Sequence, residues 1–158
     1  MTTTRVAASQ WQDGDTTALL ETLERSSDDA LICDFLRWLR ADRRPSVMTL
    51  DFCSRILPLV LACIRSKSVE IARGGLSGAQ YMLKTFEVII PQTREVASQR
   101  SVRAPVDLSL EERIRKCEVC HRLFRDIWDE LESGRPAMKD VAPLRREVCA
   151  ALAGFVSG

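Results

Sequence analysis

Apolar residues recur along this chain at steps of three and four, and no stretch alternates long enough to make a strand. Ala18, Leu19 and Leu23 share a helical face behind Asp15, whose carboxylate suits an N-cap. A second helix is expected to open at Ser27-Asp28-Asp29, where acids favour the positive end of the helix dipole. Leu31, Ile32, Phe35, Leu36, Trp38 and Leu39 form its apolar set, wider than one stripe, and a basic turn over 40–44 ends it before Pro45.

Ser46 reads as the cap of a third helix running to about residue 66. Leu50, Cys53, Leu57, Val60 and Ile64 lie on one side of it; Phe52, Ile56, Leu59 and Cys63 lie on the other. A helix apolar on two faces is a central one, packed by neighbours on both sides. Pro58, which cannot donate to the helical ladder, falls inside it and is expected to kink it. A fourth helix over 69–90 carries Leu76, Ala79, Leu83, Phe86 and Ile90, with Gly74, Gly75 and Gly78 admitting another backbone at close range. Pro91 is followed by a possible further turn or two and then by a basic loop, SQRSVRAP.

Ser109-Leu110-Glu111-Glu112 has the form of a capping box, Ser at the N-cap and Glu three residues later. Behind it Leu110, Ile114, Cys117, His121, Phe124, Trp128 and Leu131 repeat strictly by four and three, the seam of a helix lying along a partner helix. Ser133-Gly134-Arg135-Pro136 breaks the pattern, and a last helix carries Val141, Leu144, Val148, Ala151, Leu152 and Phe155. The expected fold is all-α: an irregular helical bundle or short armadillo-like α-solenoid of about six or seven helices. Residues 1–12 are polar and expected to fray, with 13–158 a single domain.

The 158 residues, 46% hydrophobic and 28% charged, suit one globular domain. Lys and Arg number 23 against 22 Asp and Glu, so binding to any acidic polymer must come from a local patch rather than net charge, and no nucleic-acid partner is implied. No stretch reaches the ~20 apolar residues that span a bilayer, and the N-terminus lacks the apolar region of a secretory signal. The six cysteines are accordingly read as free thiols in a reducing compartment.

Cys117-Glu118-Val119-Cys120-His121 matches the C-x-x-C-H form of haem attachment. The match sits inside a well-capped amphipathic helix with Cys117 and His121 on its apolar seam, which is where core residues fall. A structural zinc wants four ligands, and no second pair accompanies these two cysteines. His121 is the only histidine, so nucleophilic catalysis would hang on it alone; neither catalytic residues, a metal nor a cofactor is assigned. Oppositely charged neighbours such as Glu111 with Arg115 and Glu118 with Arg122 read as a self-neutralising helix face. Arg37, Arg40, Arg43 and Arg44 face only Asp34 and Asp42 nearby and form the best basic patch.

Two segments, TLDFCSRILPLVLACIRSK and VDLSLEERIRKCEVCHRLF, resemble the conserved C-terminal domain of the regulatory, non-catalytic subunit of katanin. The likeness rests on Leu50-Asp51-Phe52-Cys53, Leu57-Pro58, Ser66-Lys67, the Val106-Asp107-Leu108-Ser109 region through Arg113, and Lys116-Cys117 with Cys120. Trp11 and Gly14-Asp15 fit the opening of that domain, so the resemblance covers nearly the whole chain. The family's regulatory subunit carries a β-propeller ahead of this domain, and the chain is read as an excised part or a short relative without one.

The resemblance implies a non-enzymatic regulatory module that heterodimerises with the N-terminal helical domain of a katanin-type catalytic AAA ATPase subunit. It also implies binding to microtubules, contact with spindle-pole or minus-end proteins, and a place in the cytoplasm on the cytoskeleton. Leu123, Ile127, Trp128 and Leu131 exceed what one seam needs and are expected to meet the catalytic subunit. Arg37, Arg40, Arg43 and Arg44 are expected to meet tubulin, whose surface and tails are acidic, with Arg100 and Arg103 of the basic loop as the other option. A generic cytosolic helical adaptor, or a small thiol or haem protein using Cys117, Cys120 and His121, is the alternative.

Overall fold

Eight α-helices, with two single 3-10 turns between them, make up the computed structural model, which describes residues 2–101, 105–133 and 139–157. They are α1 (Thr3–Gln12), α2 (Thr16–Ser26), α3 (Asp29–Asp42), α4 (Leu50–Ile64), α5 (Val69–Phe86), α6 (Ile89–Gln99), α7 (Leu108–Glu132) and α8 (Ala142–Val156). No strand occurs among the described residues. The expected all-α bundle is observed, with eight helices among the described residues where about six or seven were expected.

The two-faced pattern of the third predicted helix is realised in α4, which packs against α3, α5 and α7. Phe52, Cys53, Ile56, Leu57, Val60, Cys63 and Ile64 are all buried in it. Pro58 lies within the helix on its exposed side. α5 bridges α3 and α8, α7 lies between α4 and α8, and α6 rests on α7 at the edge of the bundle.

The glycines of α5 set the spacing of this centre. A β-carbon on Gly75 would stand 2.8 Å from the backbone nitrogen of Ile64 and 2.9 Å from the Cys63 β-carbon, closer than atoms can approach. One on Gly78 would meet only the Leu36 side chain, at 2.8 Å.

Residues 3–12, expected to fray, form α1. Ala7 and Trp11 of α1 are buried, and the Trp11 ring meets Phe35 edge-on at 5.3 Å. Trp11 Nε1 donates to Asp42 Oδ2 at 2.6 Å, while the Arg44 guanidinium stacks 4.0 Å from the Trp11 ring centroid and donates to the Trp11 carbonyl. A polar-looking segment is thus tied down by one aromatic side chain and partners more than thirty residues away.

Two caps also fall elsewhere than expected. Thr49, not Ser46, caps α4: its hydroxyl accepts from Phe52 N at 3.1 Å, and Pro45–Val47 forms a separate 3-10 turn. Asp107, not Ser109, caps α7, accepting from Leu110 N at 3.1 Å, because the carboxylate sits where the chain is still extended. Asp15 and Asp28 cap α2 and α3 as read from the sequence. The predicted fourth helix stops at Phe86, and a new one begins at Ile89. Pro91 does not end that helix; it lies in the first turn, where a missing N–H removes no helical bond. The break at 134–136 lies outside the described residues.

Candidate functional site

α6 is amphipathic but thinly buried. Only Ile90 and Thr93 are buried among its eleven residues. Successive residues on a helix are 100° apart, so with Ile90 turned inward its neighbours Val88 and Ile89 lie towards the surface. Val88 is 58% exposed, Ile89 36%, Val96 49%, Val106 76% and Leu108 78%. These are the large hydrophobic side chains left exposed among the described residues, and all five lie between 88 and 108. Scattered exposed apolar residues mean little, and what sets these apart is that they all come from one short stretch of chain.

Concavities flank α6 on both sides. A groove of about 1050 Å³ between α6 and α8 is lined by Val88, Pro91, Arg94, Ala97, Glu118 and Phe155, among others. A second hollow of about 360 Å³ joins Ile89 and Phe86 to Met48 and Leu50 at the start of α4 and to Arg113 and Lys116 on α7. A third, about 220 Å³, brings Val96 to Leu110 and Arg113.

The rim of this region is charged, and its pairs tie helices together. Arg94 Nε stands 2.9 Å from Glu118 Oε1, Lys116 Nζ stands 2.9 Å from Asp51 Oδ2, and Arg100 pairs with Glu111. Glu111 and Glu118 of α7 thus reach to α6 and its flank, while Glu112 stays within the helix, pairing with Arg115 and, at 4.0 Å, with Lys116 as i,i+4 spacing expects. An apolar strip with a charged rim has the anatomy of a protein interface. No group of three or more potential metal ligands occurs among the described residues.

The residues expected to meet a partner divide. Ile127 is fully buried and Leu131 is 7% exposed, so both belong to the core that α7 shares with α4 and α8. The surplus of apolar residues in that half of α7 is consumed by packing on two sides, because Cys117, Cys120, Phe124 and Ile127 all point inward. Leu123 and Trp128 are half-buried and packed against the same core, leaving partial edges at the surface. Trp128 Nε1 is buried without a partner.

The four arginines also separate. Arg37 is exposed and pairs with Asp34. Arg43 is exposed, in a left-handed conformation (φ 46°) at the end of α3. Arg40 is half-buried with Nη1 unpartnered, and burial lowers its pKa. Arg44 is committed to Trp11 and lies 3.5 Å from Asp42. The outward-facing positive charge of the patch is thus that of Arg37 and Arg43. Of the other basic option, Arg100 pairs with Glu111 much as Arg37 pairs with Asp34, and Arg103 lies outside the described residues.

Cys117 and His121 are buried as their seam positions imply, and Cys120 is buried beside them. The Cys120 thiol donates to the Leu50 carbonyl at 3.4 Å, fastening α7 to α4. His121 packs against Phe155 with ring centroids 5.4 Å apart, and its Nε2 is unpartnered. Burial, followed by the charge of Arg94, pushes the His121 pKa below the ordinary imidazole value.

Sequence reasoning missed Val88, Ile89, Val96, Val106 and Leu108. A signal was present in Val88-Ile89-Ile90: three consecutive apolar residues exceed what one helical stripe can bury.

The profile of the con80 domain of katanin matches residues 1–152. Relatives include katanin p80 WD40 repeat-containing subunit B1 of Danio rerio, 26% identical over 119 residues, and that of Xenopus tropicalis, 28% identical over 115. A homologue of that subunit in Arabidopsis thaliana is 26% identical over 129 residues. The aligned regions cover 75%, 73% and 78% of this chain but only 16%, 17% and 14% of those proteins.

Proposed function

Since the chain belongs to the family of katanin con80 domains, we propose that its regulatory, katanin-like role is carried out without catalysis, by heterodimerising with the N-terminal helical domain of a catalytic AAA ATPase subunit. The observation that carries this reading is the confinement of the exposed large hydrophobic residues to the α6 edge and the start of α7. Covering Val88, Ile89, Val96, Val106 and Leu108 removes apolar surface from water at roughly 25 cal/mol per Å², which is the driving force such a complex needs. The partner would sit over α6, reaching Val88 in the groove on one side and Ile89 and Val96 in the hollows on the other, with the rim charges fixing its register more than its affinity. Leu123 and Trp128 lend the same partner a secondary edge further along α7.

Microtubule affinity belongs, in this reading, to α3 and the turn that ends it. Arg37 and Arg43 supply a local positive field to an acidic polymer, and such contact weakens as salt shortens the Debye length from ~10 Å at 0.1 M to ~3 Å at 1 M. Spindle-pole or minus-end proteins would meet the heterodimer rather than this chain alone.

The test is titration of a katanin-type catalytic subunit's N-terminal domain into this chain by calorimetry. A saturable 1:1 complex with a negative heat-capacity change, the mark of apolar burial, is expected. Absence of binding at hundred-micromolar concentrations would refute the reading. In parallel, replacing Arg37 and Arg43 by Glu should abolish salt-sensitive co-sedimentation with microtubules while leaving the calorimetric titration unchanged.

A further inference from the structure

Four of the six cysteines stand in two thiol pairs across helix contacts. Cys63 of α4 reaches α3 one turn before Cys33, its thiol donating to the Asp29 carbonyl at 3.6 Å, and Cys120 of α7 reaches α4 about one turn before Cys53, donating to the Leu50 carbonyl at 3.4 Å. The pairs differ in access. Cys53 and Cys120 are both fully buried. Cys63 is fully buried, but Cys33 is partly exposed and lines a hollow of about 170 Å³ with Asp34, Arg37, Arg40, Glu70 and Gly74.

The first pair packs closely against α5. Gly74 and Gly75 of α5 lie against the two thiols: a β-carbon at Gly74 would stand 2.7 Å from Cys33 Sγ, and one at Gly75 would stand 2.9 Å from the Cys63 β-carbon. Backbone carbonyls lie within reach of each sulfur, Ile71 O at 3.3 Å from Cys33 Sγ and Asp29 O at 3.6 Å from Cys63 Sγ. Hydrogen bonding from Cys63 lowers the Cys33 pKa, with Arg40 adding to it and Asp34 and Asp29 opposing, while Cys63 is pushed up. A thiol at the edge of an open hollow beside a sealed one is the arrangement of an attacking and a resolving cysteine.

We propose that Cys33 and Cys63 are a peroxide-oxidisable pair that closes into a disulfide between α3 and α4. The Cys33 thiolate attacks one oxygen of a hydroperoxide; the O–O bond breaks, and the leaving oxygen takes up a proton as water or alcohol, giving Cys33 sulfenic acid. The Cys63 sulfur then attacks the Cys33 sulfur, the sulfenic oxygen leaves as water with the Cys63 proton, and the S–S bond forms. Two thiols lose two electrons and the peroxide gains them. Cys53 and Cys120, sealed from solvent, stay reduced.

The experiment is hydrogen peroxide treatment of the folded chain, alkylation after denaturation, and non-reducing peptide mass spectrometry. A Cys33–Cys63 linkage reversed by dithiothreitol, with Cys53, Cys117 and Cys120 still alkylated, is the expected result. Cys63→Ser should lose the linkage and leave Cys33 as a sulfenic acid trapped by dimedone. Cys33→Ser should lose both products. Cys149 is the internal reference: its thiol contacts Glu132 Oε1 at 2.9 Å, and burial with that carboxylate pushes its pKa up to about 11. Oxidation of Cys149 before Cys33, or sulfinic acid at Cys33 of the wild-type chain without linkage to Cys63, would overturn the proposal.

Discussion

The two ends of α7 carry similar hydrophobic content and opposite fates. Its C-terminal half presents Phe124, Ile127 and Leu131 to α4 and α8, and those side chains are at most 7% exposed. Just before and at its N-terminus, Val106 and Leu108 are more than three-quarters exposed, beside an α6 that buries two residues only. Counting apolar residues on a helix cannot separate these cases, because burial depends on how many neighbouring helices arrive. Where two helices flank α7, surplus hydrophobicity is core; where α6 ends the bundle, it is available to another chain.

The largest expected effect tests the buried end. Ile127→Ala should destabilise the fold by about 2–5 kcal/mol through lost burial and the cavity left behind, whereas Leu108→Ala should stay within about 0.5 kcal/mol. Urea unfolding of the two variants measures the contrast directly. Equal costs would erase the distinction between the ends of α7.

Next in size is the centre on which both ends depend. Gly75→Ala forces a β-carbon against the backbone of α4, and overpacking of that kind costs about 1–3 kcal/mol. Gly78→Ala should cost less, since only the flexible end of Leu36 must yield. Thermal melts of the pair would separate a backbone contact from a side-chain one.

The clamp on α1 is smaller. Asp42→Ala removes the acceptor of the Trp11 indole and a partner of Arg44, a loss of about 1 kcal/mol. Its signature is local: hydrogen exchange should accelerate in α1 before the rest of the bundle.

The smallest effect is a pH slope from His121. Its folded pKa lies below the unfolded value of about 6.5, so the unfolded chain binds the proton more readily. Stability is whole at and above that pH and declines as pH falls towards the folded pKa. His121→Leu should flatten this part of the stability profile; an unchanged slope would assign it to other groups.

Most of the fold was legible because local chemistry agreed with packing. Asp15 and Asp28 announced helix starts, and the two apolar faces of α4 announced a central helix. α1 was not legible because its segment reads as polar and its anchor is one indole reaching Asp42, a contact between distant parts of the chain. α6 was hidden by Pro91, which reads as a terminator yet sits harmlessly in a first turn. The site was less legible than the fold. Arg40 and Arg44 carry the same charge in sequence as Arg37 and Arg43, but one is half-buried and the other stacked on Trp11. Ile89 and Ile90 are chemically identical neighbours, and only the position of α7 decides which is buried.

The most direct measurement compares the two surfaces in one binding assay with the catalytic subunit's N-terminal domain. Ile89→Asp and Val96→Glu together place charge on the exposed strip; Asp at the first position of α6 also suits its dipole, so the bundle should remain folded by circular dichroism. The expected result is at least a roughly hundredfold loss of affinity, the range reached when interface anchors are removed. A Leu123→Glu variant, changed on the half-buried edge, should lose far less. Full affinity in the double variant, with binding lost instead in a folded Leu123→Glu chain, would contradict the assignment of the α6 edge as the partner face.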